Sequence, residues 1–128
     1  FYEVQYLIVP LKGSFSPSPH FYRTASGACE YIKIIPVSNL SKFIKNLIKQ
    51  EVNCVGFSEY GETNWTLGDL FKQEESCCIV FGAEDKGLSN AVEMSLPVKL
   101  ALTSDGPIKS LNVSVAAGIV MERIFGKN

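Results

Sequence analysis

Basic residues are in no excess. With 12 Lys and Arg against 13 Asp and Glu the formal net charge is −1, so no basic field announces a nucleic-acid surface. Any RNA or DNA role must rest on local residues or on a partner segment. Long apolar runs are missing too: none approaches the ~18 residues of a membrane span, and the N-terminus does not read as a signal peptide. A soluble protein without membrane association is expected. Histidine is limited to His20, in a Ser/Pro-rich loop, which leaves a Ser-His-Asp hydrolase without a well-placed base. The cysteines, Cys29, Cys54, Cys77 and Cys78, form no C-x-x-C pair, which argues against the spaced ligand pairs of a zinc site. No metal is expected. The thiols read as reduced, in a cytosol-like compartment, with adjacent Cys77 and Cys78 on opposite faces of one strand.

What is present suits one packed domain of 128 residues, 46% of them apolar. "YLIVP" (6–10), "IKIIPV" (32–37), "NCVGFS" (53–58), "CCIVF" (77–81) and "VKLAL" (98–102) read as strands rich in β-formers. Leu40, Phe43, Ile44, Leu47 and Ile48 recur at helical spacing after a cap at Ser38 or Asn39. "HFYRTASGACEY" reads as a short helix, "SNAVEMS" as a brief one capped by Ser89, and "SLNVSVAAGIVMERIF" as a strong one. In the last, Leu111, Val115, Gly118, Ile119 and Ile124 are expected to face a core. "EYGETNWTLGDLF" is turn-rich, with Leu67, Leu70 and Phe71 starting a helical turn. Strands alternating with helices predict an α/β fold with a mostly parallel sheet covered by helices on both faces.

"IVFGAEDKGLS" (79–89) carries two glycines, Gly82 and Gly87, after a strand. A phosphate loop needs a lysine where Leu88 stands, and Glu84 and Asp85 would repel an anion. This loop therefore binds something else. "SLNVSVAAG" also follows a strand and opens a helix, and ligands collect outside the carboxyl ends of strands in such folds. Small residues there let backbone approach a ligand, and Leu102 and Leu111 are placed to flank a flat base.

Together, Gly82-x-Glu84-x-x-Gly87-Leu88 and Ser110-Leu111-Asn112-x-Ser114-x-Ala116-x-Gly118 resemble the second and third motifs of the SpoU/TrmH ribose 2′-O-methyltransferases of the SPOUT superfamily. "RTASGACEYIKIIPVSNLSKFIKNL" resembles a segment of the branch that methylates a guanosine of large-subunit ribosomal RNA, although Pro36 lies farther from Glu30 than is usual there. The resemblance implies a C-terminal deep trefoil knot, S-adenosylmethionine as cofactor, and a homodimer. It implies cofactor contacts at Gly82, Leu102 and Leu111, and active-site side chains at Glu84, Ser110 and Asn112. It points to ribosomal RNA ahead of transfer RNA, in the cytoplasm or in an organelle with its own ribosomes.

Residues 1–128 then correspond to a catalytic domain truncated at its N-terminus. "FYEVQYLIVP" aligns just after the family's first motif, so the Asn and Arg of that motif are not in the chain, and the 128 residues alone are expected to be inactive. Arg23 belongs to a later segment. Thr103-Ser104 replaces the family's usual Pro-Met, which removes a constraint on φ.

Plainer duties stand beside these. Glu84 also suits a helix-terminal carboxylate, and Ser110 and Asn112 suit caps. Tyr31, Tyr60 and Trp65 suit packing as well as base stacking. Lys12, Arg23 and Lys86 suit solvent as well as phosphate. The competing functions are a non-catalytic RNA-binding or ribosome-assembly protein that keeps the fold, and a generic nucleotide-binding α/β protein.

Overall fold

The computed structural model describes residues 4–11, 31–63, 65, 76–82, 87–102 and 111–126. The segments expected as a helix around residues 20–31 and a helical turn at 67–71 lie mostly or wholly outside them. So do Cys29, His20, Arg23, Lys12, Lys86 and Thr103-Ser104. Two compact units divide the chain, Phe1–Phe43 and Ile44–Asn128.

In the first unit β1 (Tyr6–Pro10) and β2 (Lys33–Val37) pair in parallel, with Tyr6 opposite Lys33 and Pro10 opposite Val37. Both prolines sit exposed in a two-stranded ribbon, where the missing N–H of proline is tolerated.

Helix α1 (Leu40–Lys49) begins after Asn39, whose Oδ1 accepts from the Lys42 N–H at 3.0 Å and from the Ser41 hydroxyl at 2.9 Å. Of the two expected caps, Asn39 is the one used. The predicted apolar face is the inner one: Ile44 is buried, and Leu40, Phe43, Leu47 and Ile48 are half-buried. The helix ends in a Schellman motif, with the Val52 N–H donating to Leu47 O and the Glu51 N–H to Ile48 O, both at 3.0 Å. Glu51 therefore holds a φ of 64°, which costs a side-chain-bearing residue about 1–2 kcal/mol. Glu51→Gly relieves that cost while adding roughly 0.5–1 kcal/mol of unfolded-state entropy. A net gain of about 0.5 kcal/mol in urea unfolding is expected.

The second unit is built on a three-stranded parallel sheet, ordered β4 (Cys77–Phe81), β3 (Asn53–Glu62), β5 (Val98–Leu100). β3 is its central strand and runs four residues beyond the predicted "NCVGFS". After Phe57 pairs with Leu100, the register breaks, and Glu62 pairs with Leu100 again. The charged and glycine-containing "EYGE" has low strand propensity, but it is held by backbone pairing rather than by buried side chains.

Alternation along β3 assigns its two faces. Val55 and Phe57 meet Ile79, Phe81, Leu100 and Val120 of α3 (Val113–Phe125) in the buried cluster. Gly56 points the other way, beneath Leu96 at the end of α2 (Asn90–Ser95) and near the Leu88 Cδ1. This sheet is thus covered by helical segments on both faces, as the sequence pattern predicts, and every strand pair among the described residues is parallel.

The predicted inner face of the last helix needs correction. Val120 is fully buried and Ile124 packs on the cluster, whereas Leu111 is 48% exposed, Val115 51% exposed, and Gly118 exposed. Leu111 precedes the helix, because Asn112 caps it, so the buried stripe runs through Val120 and Ile124.

Cys54, Cys77 and Cys78 are free thiols. Cys54 and Cys78 lie opposite each other in register, and burial pushes the Cys78 thiol up to about 12. Such thiols are packing groups rather than nucleophiles.

Candidate functional site

The parallel register fixes a common level at the carboxyl end of the sheet: Phe57 pairs with Phe81 on one side and Leu100 on the other. Gly82 is the next residue after Phe81, and Ala101-Leu102 follow Leu100. Two of the predicted cofactor contacts, Gly82 and Leu102, therefore leave the same sheet edge from the strands that flank β3, where open α/β sheets bind their ligands.

The loop that starts at Gly82 is pinched at its neck. A Cβ on Gly82 would strike the Gly87 carbonyl carbon and lie 2.6 Å from the Leu88 nitrogen. Only a residue without a side chain lets these backbone segments meet. Gly87 serves a different need: its φ is 64°, and a Cβ there would meet nothing within 4 Å. From the neck, half-buried Leu88 reaches back toward Gly56. Ser89 then caps α2, its Oγ accepting from the Val92 N–H at 3.3 Å. Glu84, inside the loop, lies outside the described residues.

The other flank is tied down by an arm from β3. Ala101 is buried, and its N–H donates to Glu62 O at 2.9 Å. Its carbonyl accepts from the Trp65 indole Nε1–H at 2.9 Å. Gly61 lies so close to the Leu100 backbone that a Cβ there would overlap its carbonyl. Trp65 meets Phe57 edge-on at 5.7 Å, while Phe81 stacks on Phe57 at 5.7 Å. Leu102 is half-buried against the cluster of Val55, Phe57, Leu100 and Val120. Of the three aromatics weighed for base stacking, Trp65 is thus a packing residue, whereas Tyr31 and Tyr60 are exposed. Sequence reasoning missed the Gly61–Trp65 arm; a lone tryptophan after a glycine was its only visible signal.

At the start of α3, the Asn112 Oδ1 accepts from the Ser114 N–H at 2.9 Å and its carbonyl from the Ala116 N–H at 2.9 Å. Asn112 is therefore the cap, and Leu111 beside it is exposed. Ser110 lies outside the described residues. A carboxylate also approaches the sheet edge: the Ser58 hydroxyl, one residue past Phe57, donates to Glu93 of α2 at 3.3 Å. Among the described residues no cluster of His, Cys, Asp and Glu suits a metal ion.

Comparison with known proteins bears on this arrangement. The model of the SpoU rRNA Methylase family matches residues 1–122. Proteins named uncharacterized tRNA/rRNA methyltransferase from Mycobacterium ulcerans and Mycobacterium leprae are each 31% identical over 118 residues, 92% of this chain and 37% of theirs. The chain thus spans little more than a third of the length of these relatives. The SpoU methyltransferase AviRb from Streptomyces viridochromogenes, solved in complex with AdoMet, superposes with a TM-score of 0.81 at 20% identity, over 97% of this chain and 50% of that one. A TrmH/SpoU tRNA modifying enzyme from A. aeolicus gives 0.79 at 21% identity, over 96% and 61%. At these identities the structures establish the likeness of fold.

Proposed function

Because the chain belongs to the SpoU rRNA methylase family, we propose that it is the catalytic domain of an S-adenosylmethionine-dependent RNA ribose 2′-O-methyltransferase, acting on a guanosine of ribosomal RNA. The observation that carries this reading is the glycine neck at Gly82, with Leu102 across β3 from it at the carboxyl edge of the parallel sheet. Backbone and apolar surface at such an edge suit a flat adenosine and a cationic sulfonium, and they account for the missing lysine at Leu88.

Gly82, Leu102 and Leu111 are assigned to hold the cofactor. When bound, S-adenosylmethionine supplies a methyl group already activated for transfer. What remains for this chain is to orient the ribose hydroxyl and keep water out, so that proximity lowers the barrier. Glu84 and Ser110 are assigned to position the RNA. Asn112 is assigned through its Oδ1, which fixes the first turn of α3 and with it the loop that bears Leu111. The proposal extends to the trefoil knot of the C-terminal segment and to a homodimer, for which exposed Leu111, Val115 and Phe125 offer an apolar surface.

Calorimetry with S-adenosylmethionine tests the cofactor half, and no heat of binding from the folded protein would sink it. Labelled-methyl transfer by the whole protein to ribosomal RNA, run beside transfer RNA, tests the substrate half. RNA binding without transfer would favour the non-catalytic assembly protein.

A further inference from the structure

β5 ends at Leu100, yet two of the three residues assigned to cofactor binding, Leu102 and Leu111, lie past it. What fixes the backbone there is the arm from β3. Both polar backbone groups of Ala101 are engaged by this arm, the N–H by Glu62 and the carbonyl by Trp65. The closeness of Gly61 to Leu100 is what lets it reach. Trp65 itself is held on two sides, edge-on by Phe57 and over its ring by the Arg123 guanidinium of α3, 5.7 Å from the ring centroid. One indole thereby links the central strand, the last helix and the exit of β5.

We infer that Trp65 is a positioning residue for the cofactor segment: its indole N–H sets the Ala101 carbonyl and hence the place of Leu102. This rests on the reading that Leu102 touches S-adenosylmethionine. Trp65→Phe keeps most of the ring and removes the donor. The buried Ala101 carbonyl then has to find another partner, and the peptide carrying Leu102 shifts with it.

The test is calorimetry of the whole wild-type protein and of its Trp65→Phe variant with S-adenosylmethionine, at a temperature where unfolding curves show both fully folded. The expected result is a Kd about tenfold higher for the variant, the size of one lost hydrogen bond. In the whole enzyme the KM for the cofactor rises while kcat changes little. A variant that melts earlier but binds as tightly as wild type shows a purely structural tryptophan and overturns the inference. Absence of binding by the whole wild-type protein overturns the proposed function and this inference with it. If Trp65→Phe does not fold, the benzothiophene isostere of Trp65, with sulfur in place of N–H, preserves the shape. It is expected to show the same tenfold loss, and unchanged affinity there overturns the inference too.

Discussion

Gly82→Ala is expected to weaken S-adenosylmethionine binding by about a hundredfold, and Gly87→Ala by no more than about tenfold. Both glycines belong to one short motif, but the structure gives them different reasons to exist. At Gly82 the new methyl would fall against the Gly87 carbonyl carbon, 2.6 Å from the Leu88 nitrogen and 2.7 Å from the Gly87 Cα. All are backbone atoms, so no rotamer change relieves the overlap and the neck must open. Overpacking of this kind costs about 1–3 kcal/mol, and an immovable neighbour places this case at the upper end. Because the neck sets where the chain leaves the sheet at Gly82, the cost is expected to fall on the cofactor contact proposed there.

At Gly87 a methyl enters open space, and only the positive φ is paid for, about 1–2 kcal/mol. That strain bears on folding rather than on the neck at Gly82. Calorimetric titration of the two variants decides the matter: equal losses, or a larger one at Gly87, would show that the pinched neck does not shape the site.

The contrast also shows which features the sequence carried. The cap positions were readable, Ser89 outright and Asn39 and Asn112 as one of two candidates beside Ser38 and Ser110, because a short polar side chain before an apolar periodic run has one efficient use, accepting from a first-turn N–H. The strands were readable as runs of β-branched and apolar residues. The inner face of α3 was not. Between Val113 and Val120 nearly every residue is small or apolar, so periodicity does not separate Val115 from Val120, and only packing against Val55, Phe57 and Leu100 does. The arm from Gly61 to Trp65 was hidden for the opposite reason. Its hold on Leu100 and Ala101 runs largely through backbone groups, which leave little trace in residue type. For the site, the motif glycines and Leu102 were legible as residues gathered at a sheet edge. Why Gly82 in particular must be glycine required the position of Gly87 and Leu88.

Phe57→Ala is expected to cost about 3–5 kcal/mol in urea unfolding, a large share of the roughly 5–15 kcal/mol that holds a domain folded. Phe57 is 8% exposed and shares its cluster with Val55, Leu100 and fully buried Val120. Phe81 stacks on its ring at 5.7 Å with a 19° tilt, and Trp65 meets it at 5.7 Å and 73°. Truncation removes both aromatic contacts along with the transfer free energy of the ring. The gap cannot close readily, because Val55, Phe81 and Leu100 sit on hydrogen-bonded strands at fixed spacing. Phe57→Leu keeps most of the volume and is expected to cost less, about 1.5 kcal/mol.

The same change reaches the site. Trp65, the only tryptophan of the chain, loses its edge contact, and its hold on the Ala101 carbonyl loosens. Its emission in the folded Phe57→Ala protein is therefore expected to shift toward that of an exposed indole, with cofactor affinity falling in parallel. A loss below about 1.5 kcal/mol, with emission unchanged, would mean that the aromatic cluster does not support the carboxyl edge, and that Leu102 is held in place by something other than Trp65.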